Sequence, residues 1–134
     1  MSLNALHFEL ASPEKCFFSG EVESVILPAE SGEMTVFVNH DSVLTTIKPG
    51  IITVGLSFED VHRYVVLGGV CGIVSSRCTV LSETILLIDG SCLTILEGRI
   101  DEVRSSLDNI YDVDQRSQME QFLTDLSYLH GKLQ

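Results

Sequence analysis

A chain of 134 residues, 45% hydrophobic and 20% charged, is long enough for one domain with a real core and too apolar to stay disordered. Nineteen acidic residues against eight basic ones give a net charge of −11, which argues against nucleic acid and anionic lipid as direct partners, because both need clustered Lys and Arg. The expected partner surface is neutral, basic or apolar protein.

The N-terminal MSLNALHFEL has neither a basic region nor a long apolar core, so it does not read as a signal peptide. No apolar stretch approaches the roughly 20 residues that span a bilayer, so no direct membrane insertion is expected. Leu6, Phe8 and Leu10 alternate with His7 and Glu9, the pattern of a half-buried strand. Ser12-Pro13-Glu14 breaks it, and Cys16-Phe17-Phe18 opens a second strand that Ser19-Gly20 should end.

From Phe17 to Ile51 the chain sets three apolar runs between turn signals. The runs are Val22 to Leu27, Met34 to Val38, and Val43 to Ile47, the last continuing beyond a turn as Ile51, Ile52 and Val54. The turns are expected at Pro28 to Gly32, Asn39 to Ser42 and Lys48-Pro49-Gly50, because Pro fixes φ and Gly permits positive φ. Further strands follow at Gly50 to Ser57, Arg63 to Leu67, Val70 to Val74 and Cys78 to Leu81. Glu59-Asp60 and Ser75-Ser76-Arg77 read as turns, and Gly68-Gly69 as a bulge or tight turn. Short strands so punctuated predict an all-β sandwich or barrel.

Beyond about residue 89 the apolar period lengthens. Leu93, Leu96, Ile100, Val103, Leu107 and Ile110 form one helical stripe; Met119, Phe122, Leu126, Leu129 and Leu133 form another. Asp112 with Gln115 is an N-cap pair for the second helix, and Gly131 a stop signal. Two such helices on a short link should fold as an antiparallel hairpin. The start of the first is ambiguous, because Ile85 to Ile95 also reads as a β-hairpin around Asp89-Gly90, while Thr94 with Glu97 reads as a capping box. We place that start between Ser91 and Thr94. The expected division is a β-sandwich over residues 1–88 and a helical hairpin over residues 89–134.

The four cysteines, Cys16, Cys71, Cys78 and Cys92, lie in apolar runs without metal or redox spacing, so reduced, buried thiols are expected. The histidines His7, His40, His62 and His130 lack zinc-ligand spacing, and no metal site is expected. His40-Asp41-Ser42 invites a nucleophile reading, but triads assemble from separated segments and no G-x-S-x-G elbow is present. The residue inventory points to a binding or structural protein rather than an enzyme. The alternative is a stand-alone β-sandwich module holding a small ligand inside its sheets.

Seven segments, in order, sharpen this: L-x-F-E-L-x-S-P-E (Leu6 to Glu14), F-S-G-E-V (Phe18 to Val22), S-G-E-M (Ser31 to Met34), N-H-D-S-V-L (Asn39 to Leu44), I-K-P-G (Ile47 to Gly50), G-G-V (Gly68 to Val70) and T-V-L-S-E (Thr79 to Glu83). They resemble the epsilon subunit family of bacterial F-type ATP synthase, called delta in mitochondria. The resemblance implies a ten-strand β-sandwich followed by a two-helix hairpin. It also implies a non-catalytic subunit at the foot of the central stalk, bound to gamma and to the polar loops of the c-ring. Such a subunit couples proton translocation to ATP synthesis from the cytoplasmic side of the bacterial inner membrane, as a peripheral protein.

By position, the resemblance makes Ser31, Gly32 and Glu33 the turn that meets the c-ring, with His40 near the same rotor surface. It implies that a face of Val, Ile and Phe is left exposed for gamma. In many bacteria the helices also reach the catalytic alpha/beta hexamer and block hydrolysis. Inhibitory relatives carry several basic residues in the second helix, whereas this one offers Arg116 and Lys132, so weak or absent inhibition is expected. No cofactor is implied beyond ATP as a weak regulatory ligand. Some relatives bind it through I-D-x-x-R-A, matched here by Ile100, Asp101 and Arg104 with Ser105 in place of Ala; the plainer reading is an Asp101–Arg104 surface ion pair.

Overall fold

The computed structural model describes residues 5–38 and 41–134. Among them the elements run β1 (Leu6–Ala11), β2 (Cys16–Val22), β3 (Ser24–Ala29), β4 (Gly32–Val36), β5 (Val43–Gly55), β6 (Val61–Val74), β7 (Arg77–Leu81), β8 (Ile85–Leu87), α1 (Cys92–Leu107) and α2 (Val113–Leu133). The chain divides into two compact units, Met1–Leu87 and Ile88–Gln134.

The strands hydrogen-bond in the order β2-β1-β7-β6-β5-β3-β4, with β8 also paired to β6. β1 runs parallel to β7, and the other pairs are antiparallel. What turns this sheet into a β-sandwich is a corner. Along β5 the buried positions are Ile47 and Pro49, then Ile52 and Val54; along β6 the core takes Tyr64 and Val66, then Cys71 and Ile73, while Val65 between the first two is buried outside that core cluster. The inward parity therefore switches in both strands, near Gly50 in one and Gly68-Gly69 in the other. The pairing keeps one register throughout, from Val43↔Ile73 to Gly55↔Val61, so the strands bend without inserting a residue.

Glycine makes the bend feasible. Gly68 and Gly69 have φ of +118° and +145°, and a Cβ on Gly69 would collide with the Leu81 carbonyl oxygen. β7 and β8 continue the same line: both keep one register on β6, and Ser82 to Thr84 break the strand opposite Leu67 to Gly69. There the buried Ser82 hydroxyl donates to the Gly68 and Thr84 carbonyls at 2.5 and 3.1 Å, and Leu67 N–H donates to Thr84 at 3.2 Å. The strand ladder breaks at the corner, and these bonds occupy the polar groups it leaves behind.

Sequence punctuation misplaced four breaks here, one of them Gly68-Gly69, which lies inside β6 with no bulge or turn. Lys48-Pro49-Gly50 is not a turn but lies inside β5, and β2 runs through Ser19-Gly20 to Val22. Pro28 and Ala29 belong to β3, so the reversal after it is confined to Glu30 and Ser31. The eight described strands stand for the expected ten because β5 and β6 each pass through both layers.

The core joins the inward faces: Leu6, Phe8, Leu10, Val25, Leu27, Val36, Ile47, Ile52, Val54, Val66, Cys71, Ile73, Cys78 and Val80 are buried together. Phe8 packs against Phe18 with ring centroids 5.8 Å apart. Cys71 and Cys78 lie in this core with sulfurs 3.7 Å apart, and hydrogen bonding to Cys71 followed by burial pushes the Cys78 thiol up, so it stays protonated. All four cysteines are free, but Cys16 is exposed at the start of β2, contrary to the expectation of burial.

In the second unit α1 starts at Cys92, inside the expected window, but neither sequence signal is its cap. Asp89 is no hairpin turn residue: its carboxylate accepts from the Ser91 N–H and hydroxyl at 2.8 and 2.7 Å. Thr94 lies within the helix. α2 is capped by Asp112, whose carboxylate accepts from Gln115 N–H at 3.2 Å. It runs through Gly131 to Leu133, so Gly131 is no stop; its φ is not positive, and no αL cap forms there. α1 and α2 pack on each other as an antiparallel pair, with Glu97 beside His130 and the Arg116 guanidinium donating to the Leu107 carbonyl. Leu96, Ile100 and Val103 of α1 and Leu126 and Leu129 of α2 are buried, as the stripes require.

Candidate functional site

The β3–β4 hairpin is built to project a small acidic tip. Ala29↔Gly32 is its closing pair, so Glu30 and Ser31 alone make the loop. Neither Glu30 nor Ser31 has positive φ, so the turn is not of the primed type; the positive φ falls on Gly32, at +130°, just after the loop. Glu30, Ser31 and Glu33 are exposed, while Pro28 and Ala29 beneath them are buried. Glu30 N–H donates to the Thr46 carbonyl at 3.1 Å, tying the loop to β5. Ser31 thus lies in the loop itself, and Gly32 and Glu33 are the first two residues of β4 beside it. Glu30 belongs with them and was missed, since its signal was only adjacency to the motif. His40 lies outside the described residues.

Carboxylates on such a tip lose little solvation when a basic or amide-rich loop approaches, so the arrangement suits contact rather than chemistry. Asp41 and Ser42 of the suspected nucleophile cluster are exposed, and the described residues hold no group of three or more His, Cys, Asp or Glu able to bind a metal. Nor does the sandwich interior offer the polar cluster an internal ligand needs: Ser82 is its buried polar side chain among the described residues, and its hydroxyl is spent on backbone.

The second layer carries an apolar outer surface. Val70 stands between Thr46 and Leu81 on one rung, and Leu81 pairs onward to Ala11. Leu44 opposes Gly72 on the next outward rung; it is 84% exposed, and a Cβ on Gly72 would touch nothing. Val70, Val74 and Leu81 are exposed as well. Of the expected Val, Ile and Phe, this surface shows Val, joined by Leu instead of Ile and Phe; exposed Phe37 and Phe58 sit outside the strands.

In the helical unit, Ile100, Asp101 and Arg104 do come together, lining an open groove of about 460 Å³ with Glu97, Ser127 and His130. His130 Nε2 lies 3.1 Å from Glu97 Oε1. Asp101 and Arg104 do not form the expected ion pair; the i, i+3 pair on α1 is Arg99–Glu102 at 3.1 Å. Glu97, Ser127 and His130 were missed because no short motif links residues that only the hairpin brings together. The two basic residues of α2 are engaged within the unit: Arg116 pairs with Glu120 at 3.1 Å, and Lys132 sits 5.5 Å from the centre of the Tyr128 ring.

Comparison with known proteins gives this geometry its context. The family model for the ATP synthase delta/epsilon chain β-sandwich domain matches residues 5–88. The ATP synthase epsilon chain of Mesorhizobium japonicum is 42% identical over 129 residues, covering 96% of each chain. Among solved structures, a chain of the Euglena gracilis mitochondrial ATP synthase (OSCP/F1/c-ring) superposes with a TM-score of 0.74 at 19% identity, covering 98% of this chain and 82% of that one. One from the Tetrahymena thermophila mitochondrial ATP synthase, central stalk and c-ring, gives 0.65 at 14% identity, covering 95% and 94%. The acidic hairpin tip, the apolar outer layer and the helical pair are therefore features of a member of the ATP synthase epsilon-chain family, to which this chain belongs.

Proposed function

We propose that the chain works as the epsilon subunit of an F-type ATP synthase, a non-catalytic clamp that holds gamma on the sandwich and meets the c-ring with its hairpin tip. In that role it couples proton translocation to ATP synthesis as a peripheral component on the cytoplasmic side of the bacterial inner membrane. Identity of 42% across 96% of both chains carries the assignment to this complex. The tip supports the contact: Ser31 is exposed in a two-residue loop tied to β5, and Glu33 is exposed on β4 one residue beyond the pair that closes it. The surface of Leu44, Val70, Val74 and Leu81 suits an apolar stalk partner. No helix among the described residues is long and apolar enough to cross a membrane, which fits attachment through other subunits.

The helical unit has a lesser part. Its groove at Ile100, Asp101 and Arg104 is the place for ATP as a weak regulatory ligand. Arg104 and His130 favour the phosphates, while Glu97 and Asp101 oppose them and keep affinity low. Contact with the alpha/beta hexamer is weak for the same reason, since Arg116 and Lys132 are already engaged.

Co-purification with gamma tests the assignment; a purified chain that ignores gamma sinks it. For the tip, Glu33→Lys in the assembled enzyme should slow association with the c-ring by about tenfold at low salt, with gamma binding unchanged. An unchanged rate would remove Glu33 from the contact.

A further inference from the structure

Gly50 stands in an ordinary backbone conformation, so its φ does not require glycine. Space does. A Cβ there would lie 2.6 Å from Pro28 Cβ and 2.9 Å from Pro28 Cγ, separations at which something must shift. Pro28 is the residue directly across from Glu33 in the β3–β4 ladder, one step before the pair that closes the tip. We propose that Gly50 is a positioning residue for the contact tip: the notch it leaves in β5 seats Pro28 and thereby sets where Glu30, Ser31 and Glu33 project.

The pairing decides which side would yield. Gly50 is held in the central ladder by Val66, with Pro49↔Leu67 and Ile51↔Val65 on either side. β3 is held differently: its pairing with β5 slips between Ile26 and Ala29, from Ile26↔Thr53 to Ala29↔Ile47, leaving Leu27 and Pro28 outside that ladder. Pro28 fits this gap because it has no N–H to leave unpaired. Beyond β3 lies β4, the edge of the sheet among the described residues. A methyl group on Gly50 therefore pushes the edge hairpin, not the centre. Past the slip, the tip is tied to β5 by the Ala29↔Ile47 pair and by the bond from Glu30 N–H to the Thr46 carbonyl, and that bond would report the shift.

The proposal rests on the tip's role as the c-ring contact, and the test separates the two. Amide exchange by NMR on the full chain is compared for wild type, Gly50→Ala, Pro28→Gly and the double variant. Gly50→Ala should speed exchange at Glu30 by about tenfold while amides of the β1–β7 ladder keep their protection, and Pro28→Gly in the same chain should restore it. Unchanged exchange at Glu30, faster exchange throughout the sandwich, or no rescue would each overturn the proposal. In the assembled enzyme, Ser31→Cys in a Cys16→Ser background carries a benzophenone-maleimide crosslinker. Its yield on the c-ring should fall with Gly50→Ala and recover in the double variant, with gamma retained. If wild-type background gives no crosslink while the Glu30 response holds, the c-ring reading fails and the positioning role stands.

Discussion

Asp89 holds Ser91, the residue just before α1, by accepting two hydrogen bonds from it, one from its hydroxyl and one from its N–H. Those bonds, the hydroxyl's foremost, hold its carboxyl below the usual carboxylate range. A carboxylate depressed in this way contributes stability that is fully present above its unfolded pKa and is lost as pH falls through the lower folded value. The Ser91 amide should therefore titrate on acidification below about pH 4, and Asp89→Asn should abolish that titration in an NMR series. The sequence displayed Asp89-Gly90 as a hairpin signal because the same pair serves either purpose. What decided it was the helix stripe that follows, which begins burying side chains at Cys92 and Leu96. Asp112 was legible outright, since its cap needs only a partner three residues on.

At the scale of elements, the corner through β5, β6 and β7–β8 determines the fold. Its polar pin is Ser82, buried and bonded to the Gly68 and Thr84 carbonyls. Ser82→Ala should cost about 1–3 kcal/mol in urea denaturation, because it strands buried acceptors without opening a cavity. A loss near zero would mean that water replaces the hydroxyl. The alternation in β1 and the two helical stripes were readable because each element has one wet and one dry side. β5 and β6 were not, because a strand that changes layers changes parity midway, and the Gly and Pro that allow the bend look like turn residues. Gly50 shows the ambiguity: it is there for Pro28, a neighbour in space that the local sequence does not reveal.

For the whole molecule, the two units predict separable contributions. Residues 89–134 carry nine acidic and four basic side chains, and both bases of α2 are engaged within the unit. Deleting these residues should change ATP hydrolysis by the assembled enzyme by less than about twofold, since helices of net negative charge with both α2 bases engaged lack the basic residues that inhibitory relatives carry there. Strong activation on deletion would show that the helices inhibit after all. Gamma binding should survive the deletion, because the apolar surface at Leu44, Val70 and Leu81 belongs to the sandwich.

Local chemistry was enough to determine the class of fold, because alternation, helical period and turn residues act within a few positions of one another; the family was legible only through the resemblance of the seven segments, which also singled out Ser31, Gly32 and Glu33. The parallel pairing of β1 with β7, the layer change in β5 and β6, and the groove joining Arg104 to His130 were decided only in three dimensions. Each depends on residues far apart in the chain, and their closeness is set by how the apolar faces bury one another rather than by any residue's immediate neighbours.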